Sequence, residues 1–185
     1  MSVPRRVLAR TAAAATLCAL PFAAAAADDA SFDVSAGYGD DVEVLALMVT
    51  FDRARPLLER PTWRLTAQYE FGATVFHGTR TDIGGYRTIA GFGATPVLRA
   101  EWPAERWPVF VEAGLGAMLI THTKLQLDHQ FSTAFQFNQI AGVGTRFGDR
   151  SQYELALRLQ HMSNANIKGP NNGLTWGALR FAWKF

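Results

Sequence analysis

The segment from Tyr153 to Ser163 alternates between two kinds of side chain, and this pattern restricts the fold more than any other feature. Leu155, Leu157 and Leu159 form an apolar row. The residues between and after them are Ala156, Arg158 and Gln160. A period of two residues indicates a β-strand, in which successive side chains point to opposite faces. His161 and Ser163 continue the leucine row, so a histidine and a serine extend the apolar face of this strand.

The N-terminus has the organisation of a secretory signal peptide. A basic start is followed by small, apolar residues over 11–27, and the alanine run offers a cleavage site. We therefore predict a signal peptide over residues 1–27 and a mature domain over 28–185. The single cysteine, Cys18, falls in the predicted signal, so neither a disulfide nor a thiolate site is expected in the mature domain.

The small basic excess of the chain belongs to the same N-terminal segment. The chain has 18 Lys and Arg against 16 Asp and Glu, and Arg5, Arg6 and Arg10 lie in the predicted signal. The mature domain is therefore close to neutral. Because a nucleic-acid-binding surface needs a basic excess, no nucleic-acid partner is expected.

Short alternating segments bounded by Gly, Pro and Asp recur along the rest of the chain. Hydrophobic residues make up 49% of the sequence, yet beyond the predicted signal no run approaches the roughly 20 apolar residues of a transmembrane helix. Such segments are typical of an all-β sandwich or barrel. We predict eight strands, near residues 31–39, 42–51, 62–74, 85–98, 108–121, 133–147, 152–164 and 174–185.

Three properties favour a membrane barrel over a soluble sandwich. The strands have about ten residues, enough for a tilted membrane span. Aromatic residues cluster at strand ends, as interfacial girdles do, and the rows opposite the apolar ones mix both signs of charge, which can pair inside a lumen. These charged residues are Arg64, Glu70, Glu112, Arg146, Glu154, Arg158 and Arg180. We predict an all-β fold, an eight-stranded antiparallel transmembrane β-barrel.

The last predicted strand supports a location in the bacterial outer membrane. Leu179, Phe181, Trp183 and Phe185 alternate up to the last residue, which resembles the C-terminal aromatic signature read by the outer-membrane assembly machinery. An even number of strands places both termini on the periplasmic side, and side chains fill the interior of an eight-stranded barrel. The outer end of the seventh strand then lies in the leaflet that holds lipopolysaccharide.

The spacing of His161 and Ser163 suits ester hydrolysis. They lie two residues apart on one face of a strand, about 6–7 Å apart at the backbone, so their side chains can lean together. A neutral imidazole can take the serine proton during attack on an ester. Asn164 and Asn171 offer amide N–H groups for the oxyanion of the tetrahedral intermediate. The alternative is an interfacial histidine beside a strand-capping serine.

The segment from His161 to Gly173, HMSNANIKGPNNG, resembles the signature of the outer-membrane lipid A 3-O-deacylases, the PagL family. The resemblance implies an eight-stranded barrel that hydrolyses the ester-linked hydroxyacyl chain at position 3 of lipid A, with no metal or other cofactor. It implies His161 as the base, Ser163 as the nucleophile, and Asn164 and Asn171 at the oxyanion site. It also implies lipopolysaccharide as substrate and outer-membrane lipid as surroundings, and it allows a homodimer.

One position departs from the family pattern. The pattern has a glutamate that orients the histidine four residues after the position of Asn171, and this chain has Thr175 there. The threonine has the outward phase and can accept a hydrogen bond, but it is uncharged and stabilises an imidazolium less. Glu154 is no substitute because its even number places it in the lumen. Asp128, in a predicted outer loop, is a second candidate for the acid.

The remaining titratable residues of the outer loops give no metal motif. Three histidines show no spacing that favours metal ligation over a solvated side chain, so no metal site is predicted. Three aspartates are candidates for binding divalent cations between lipopolysaccharide phosphates. These residues are His77, His122 and His129, and Asp40, Asp41 and Asp128.

Two alternatives to a membrane-barrel enzyme also fit parts of the sequence pattern. The first is a non-enzymatic barrel, structural or adhesive, although the predicted outer loops are short for adhesion. The second is a secreted soluble β-sandwich. A sandwich would turn the leucine row and His161 towards a core, and it would leave the terminal Phe185 unexplained.

Overall fold

The computed structural model describes residues 30–80 and 84–185, and the predicted signal peptide over 1–27 lies outside these ranges. Within them the chain forms eleven strands. They are β1 (Ala30–Gly39), β2 (Val42–Asp52), β3 (Leu58–Glu59), β4 (Arg64–Gly78), β5 (Thr88–Trp102), β6 (Val109–Ile120), β7 (Lys124–Gln126), β8 (His129–Gln130), β9 (Phe135–Phe147), β10 (Tyr153–Ser163) and β11 (Leu174–Lys184).

Eight of these strands close into an antiparallel barrel. Each long strand pairs with the next along the chain, and β11 returns to pair with β1. Closure satisfies the backbone hydrogen bonds that an open edge would leave exposed to lipid. The predicted eight-stranded antiparallel barrel is confirmed. In the described part of the chain, no helix has the length and apolarity needed to cross a membrane.

The three short strands lie outside the barrel wall. β3 adds to the end of β4, and β7 and β8 form a hairpin within a loop at the opposite end of the barrel. We call that opposite end the outer end, following the predicted topology. It carries the turn at 40–41, the described residues 79–80 and 84–87, and the connections at 121–134 and 164–173.

The predicted boundaries of two strands are wrong. β4 continues to Gly78 and β5 runs from Thr88 to Trp102, whereas the sequence suggested ends near 74 and 98. Arg99 and Glu101 are charged, and in the sequence they resemble the start of a polar connection. In the structure both lie within β5 and are buried in the interior, so they belong to the barrel rather than to a periplasmic segment.

The predicted outward phase of the seventh strand is confirmed in β10. Leu155, Leu157 and Leu159 are 40%, 64% and 59% exposed, whereas Ala156 and Arg158 are buried in the interior. A soluble sandwich would bury this leucine row. The row instead forms part of the apolar outer wall that a membrane barrel presents to lipid.

Buried ion pairs fill the interior of the barrel away from the outer end. Arginine–carboxylate distances run from 2.6 to 2.9 Å, and the Arg158–Glu70 and Arg146–Glu101 pairs are bidentate. The participants are Arg99, Arg146, Arg158 and Arg180 with Asp33, Glu70, Glu101, Glu112 and Glu154. The lumen is thus packed with side chains, as the mixed charges of the inward rows predicted.

The interior near the outer end contains an apolar cluster. Its buried cluster includes Phe76, Met162, Leu174 and Trp176, and the rings of Phe76 and Trp176 meet edge to face at 5.6 Å. Met162 lies between His161 and Ser163 in the sequence, and Leu174 and Trp176 flank Thr175. The residues behind the candidate site are therefore held by packing, which restricts the backbone that carries it.

An arginine on the outward face of β10 should destabilise the barrel. Leu157→Arg near the middle of the strand is expected to lower the free energy of unfolding by about 2–4 kcal/mol, because lipid cannot solvate the charge. Denaturant unfolding in lipid vesicles measures this. Leu57→Arg, at a 47% exposed position in the connection before β4, is the matched control and should change stability little. Equal stability of the two variants would contradict the lipid-facing assignment.

Candidate active site

The barrel register brings His161 and Thr175 together. The two residues face each other across β10 and β11, and Nδ1 of His161 lies 2.8 Å from Oγ1 of Thr175. When Nδ1 donates its proton to this hydroxyl oxygen, the other ring nitrogen, Nε2, keeps its lone pair. The contact therefore suits a histidine that acts as a base through Nε2.

Ser163 lies two residues further along β10, on the same outward face and half-buried. Its cross-strand neighbour on β9 is Phe137, whose ring meets Phe135 edge to face at 5.1 Å. Among the described residues, no hydrogen bond joins Ser163 to His161. Hydrogen bonds between a nucleophile and its base commonly tighten only in the substrate complex.

The two predicted oxyanion residues have different surroundings. The Asn164 side chain is buried, and its Nδ2 donates to the main-chain oxygens of Phe131 and Lys168 at 2.5 and 2.8 Å. Both amide hydrogens are thus used to anchor the loop. Asn171 accepts the main-chain N–H of Asn164 through Oδ1, and its Nδ2 lies 3.3 Å from Oδ1 of Asn166. Because that contact uses one of two hydrogens, Asn171 keeps an amide N–H that can donate to an incoming oxyanion, which Asn164 does not.

Gly173 leaves room for the imidazole of His161. Its φ is +68°, and a Cβ on this residue would lie 2.9 Å from Cε1 of His161. A side chain here would both strain the backbone and push on the ring. The sequence offered a signal for this role, since Gly173 ends the motif, but only the fold shows which side chain it borders.

Replacing Gly173 should impair catalysis more than folding. Gly173→Ala is expected to lower the rate of the ester hydrolysis that the motif implies about tenfold or more, since small displacements of a catalytic group are costly. The rate of fatty-acid release in detergent micelles measures it, with heat-modifiable gel migration to count folded protein. Gly177→Ala is the control, because a Cβ there meets nothing within 4 Å. Equal rates for the two variants would remove Gly173 from the site.

The β7–β8 hairpin braces the loop that carries the motif. Nδ1 of His129 lies 3.0 Å from the main-chain oxygen of Gly173, and its Nε2 lies 2.9 Å from that of Asp40. Gln130 and Asn172 exchange two further hydrogen bonds at 3.2 Å. Since main-chain oxygens only accept, His129 makes both of its bonds together only when both ring nitrogens carry protons.

The interpretation of the outer-loop histidines as solvated is wrong for His129, which is buried. His77 belongs to β4 rather than a loop, with Nδ1 2.7 Å from Oγ1 of Thr88. His122 stacks on Tyr86 with ring centroids 3.7 Å apart. The alternating pattern gave no signal for these contacts, because each joins segments distant in sequence.

Two carboxylates of the outer end have different partners. Asp128, the second candidate for the acid, lies 3.3 Å from Arg80, and no contact with His161 is found among the described residues. Asp40 instead accepts the main-chain N–H of Thr175, with Oδ2 at 2.8 Å. Within residues 30–80 and 84–185, no group of three or more His, Cys, Asp or Glu could hold a metal ion.

Comparisons with known proteins identify the family of the chain. Residues 43–184 match the family model described as lipid A 3-O-deacylase (PagL). The chain belongs to this family. The protein is accordingly a lipid A deacylase of the outer membrane, an ester hydrolase that acts on the lipid A of lipopolysaccharide.

Two relatives carry the name lipid A deacylase PagL. The chain is 36% identical over 122 residues to the protein of Bordetella bronchiseptica, a match that spans 66% of this chain and 64% of that protein. It is 28% identical over 160 residues to the protein of Pseudomonas aeruginosa, which spans 86% and 88%. The crystal structure of the outer membrane enzyme PagL superposes with a TM-score of 0.72 at 24% identity, covering 84% of this chain and 98% of that one, and shows the same fold.

Proposed function

We propose that this protein removes the 3-hydroxyacyl chain from position 3 of lipid A in the outer leaflet by a serine–histidine mechanism. The observation that carries the proposal is the outward row at the end of β10. His161 and Ser163 lie where the leucine row meets the outer end of the barrel, and Nδ1 of His161 is bound to Thr175. A substrate in the membrane reaches this row from the side, without entering the filled lumen.

The first half of the reaction forms an acyl-enzyme. Oγ of Ser163 attacks the ester carbonyl carbon while Nε2 of His161 takes the hydroxyl proton. The negative charge on the carbonyl oxygen is stabilised by N–H donors, among which the Asn171 amide is the leading side chain. The bond to the lipid A oxygen then breaks, and His161 returns its proton to that oxygen as the sugar hydroxyl leaves.

The second half releases the fatty acid. His161 takes a proton from water, the resulting hydroxide attacks the acyl carbonyl carbon, and the bond to Ser163 breaks with return of the proton to its Oγ. Thr175 holds the imidazole in the required tautomer throughout. Asn164 fixes the loop after β10 by donating hydrogen bonds to the main-chain oxygens of Phe131 and Lys168. The homodimer that the family resemblance allows stays a prediction.

Fragmentation mass spectrometry of lipid A tests the proposed position. Expression in a Gram-negative host should lighten lipid A by one hydroxyacyl group, and the fragments should locate the missing chain at position 3. Lipid A that already lacks this chain is the control, and it should stay unchanged. Loss of a chain from another position would contradict the assignment to position 3, and an unchanged spectrum would contradict deacylation altogether.

A further inference from the structure

Three residues lie together at the outer end of the barrel, on β10, on β11 and in the turn after β1. The β10–β11 register places His161 opposite Thr175. The β1–β11 pairing runs to Tyr38 opposite Gly177, and Asp40 follows in the turn at 40–41. Nδ1 of His161 lies 2.8 Å from Oγ1 of Thr175, and Oδ2 of Asp40 lies 2.8 Å from the main-chain nitrogen of Thr175. Thr175 is thus held between a histidine and a carboxylate.

The turn that carries Asp40 is fixed from several sides. The main-chain oxygen of Asp41 accepts hydrogen bonds at 2.9 Å from both the main-chain nitrogen and the hydroxyl of Thr79. The main-chain oxygen of Asp40 lies 2.9 Å from Nε2 of His129. Gly39 permits the close approach to β11, because a Cβ there would lie 2.2 Å from the Thr175 oxygen. The carboxylate is therefore placed by the fold rather than by a flexible loop.

We propose that Asp40 is a positioning residue for deacylation, which fixes Thr175 against His161 and supplies the negative charge that threonine lacks. The inference rests on the proposed serine–histidine mechanism. In that mechanism His161 becomes an imidazolium as Ser163 attacks, and a nearby carboxylate stabilises the developing positive charge. Asp40 acts through Thr175 and does not contact the reacting atoms.

The other charged groups of this region face elsewhere. His129 contacts the main-chain oxygen of Asp40 rather than its carboxylate. Asp41 accepts from the Tyr38 hydroxyl and lies 3.9 Å from Arg80, which also meets Asp128. Among the described carboxylates, Asp40 is the one with a hydrogen bond to Thr175, the residue bound to Nδ1.

A change of charge alone tests the role of Asp40. Asp40→Asn keeps an oxygen that can accept the Thr175 N–H, and asparagine tolerates the φ of +50° at this position. It is expected to lower kcat about tenfold with KM unchanged, because the charge acts mainly in the transition state. Asp41→Asn, in the same turn with φ +57°, should keep kcat within about twofold. Rates are taken per folded molecule, counted by heat-modifiable migration.

A carboxylate introduced at position 175 separates an electrostatic role of Asp40 from a purely structural one. In a Thr175→Glu background, Asp40→Asn should cost less than about twofold, since the glutamate supplies the charge directly. An equal loss in both backgrounds, or wild-type kcat for Asp40→Asn alone, would overturn the inference. Ser163→Ala is measured alongside. Activity in that variant would refute the serine mechanism itself, whereas an inactive Ser163→Ala with a fully active Asp40→Asn would refute the role of Asp40 alone.

Discussion

Ser163→Ala and His161→Ala should each lower the deacylation rate by about 10⁴-fold or more, while the barrel still assembles. Alanine at 163 removes the nucleophile, and alanine at 161 removes the base that activates it. The double variant should be no slower than either single variant, because the two side chains act as a unit. Timed release of hydroxy fatty acid from purified lipid A measures all three rates.

The control for these variants lies on the same face of the same strand. Leu159→Ala changes the outward row two residues before His161 and leaves the hydrogen bond to Thr175 in place, so the rate should stay within a few-fold of the wild type. Multiplicative losses in the double variant would show that the two residues act independently. That outcome would contradict the proposed pair.

Glu154→Gln should give the largest loss of stability in the barrel. Glu154 is fully buried and meets Arg99, Arg146 and Arg180 at 2.8–2.9 Å, with Lys184 at 3.5 Å. Glutamine keeps the shape but leaves these cations without their shared counter-charge. Breaking a buried pair in this way costs about 3–5 kcal/mol.

Guanidinium unfolding in detergent micelles measures the effect on the free energy of unfolding. Glu59→Gln, at an exposed position on the short strand β3, is the matched control and should change stability by less than about 0.5 kcal/mol. Folded Glu154→Gln should retain its catalytic rate, because the network lies away from the outer end. Similar stability of the two variants would contradict the view that the ion pairs hold the lumen together.

The fold could be predicted because alternate side chains of a barrel strand face lipid and lumen, and their polarity differs accordingly. The leucine row of β10 and the mixed charges of the inward rows gave the lipid face and the packed lumen. Strand ends were harder to predict, since a charged residue near a strand end resembles the start of a polar connection. Arg99 and Glu101 were therefore missed as members of the ion-pair network.

The candidate site could be proposed from the sequence only where it is local. His161 and Ser163 lie within one motif, and the phase of Thr175 could be counted along the last strand. The contacts of Asp40 and His129 depend on the closure of β1 onto β11 and on a loop hairpin. Their register follows from packing between distant segments and has no periodic signal. The sequence accordingly suggested cation binding for the first and solvation for the second.

Covalent labelling of Ser163 tests the central claim most directly. A lipophilic fluorophosphonate partitions into the micelle and reacts with an activated serine, and peptide mass spectrometry locates the adduct. A serine–histidine mechanism requires a single adduct on Ser163 in the wild-type barrel, slow labelling in His161→Ala, and none in Ser163→Ala. An unlabelled Ser163 in protein that is actively deacylating lipid A, or an adduct on another residue, would contradict it.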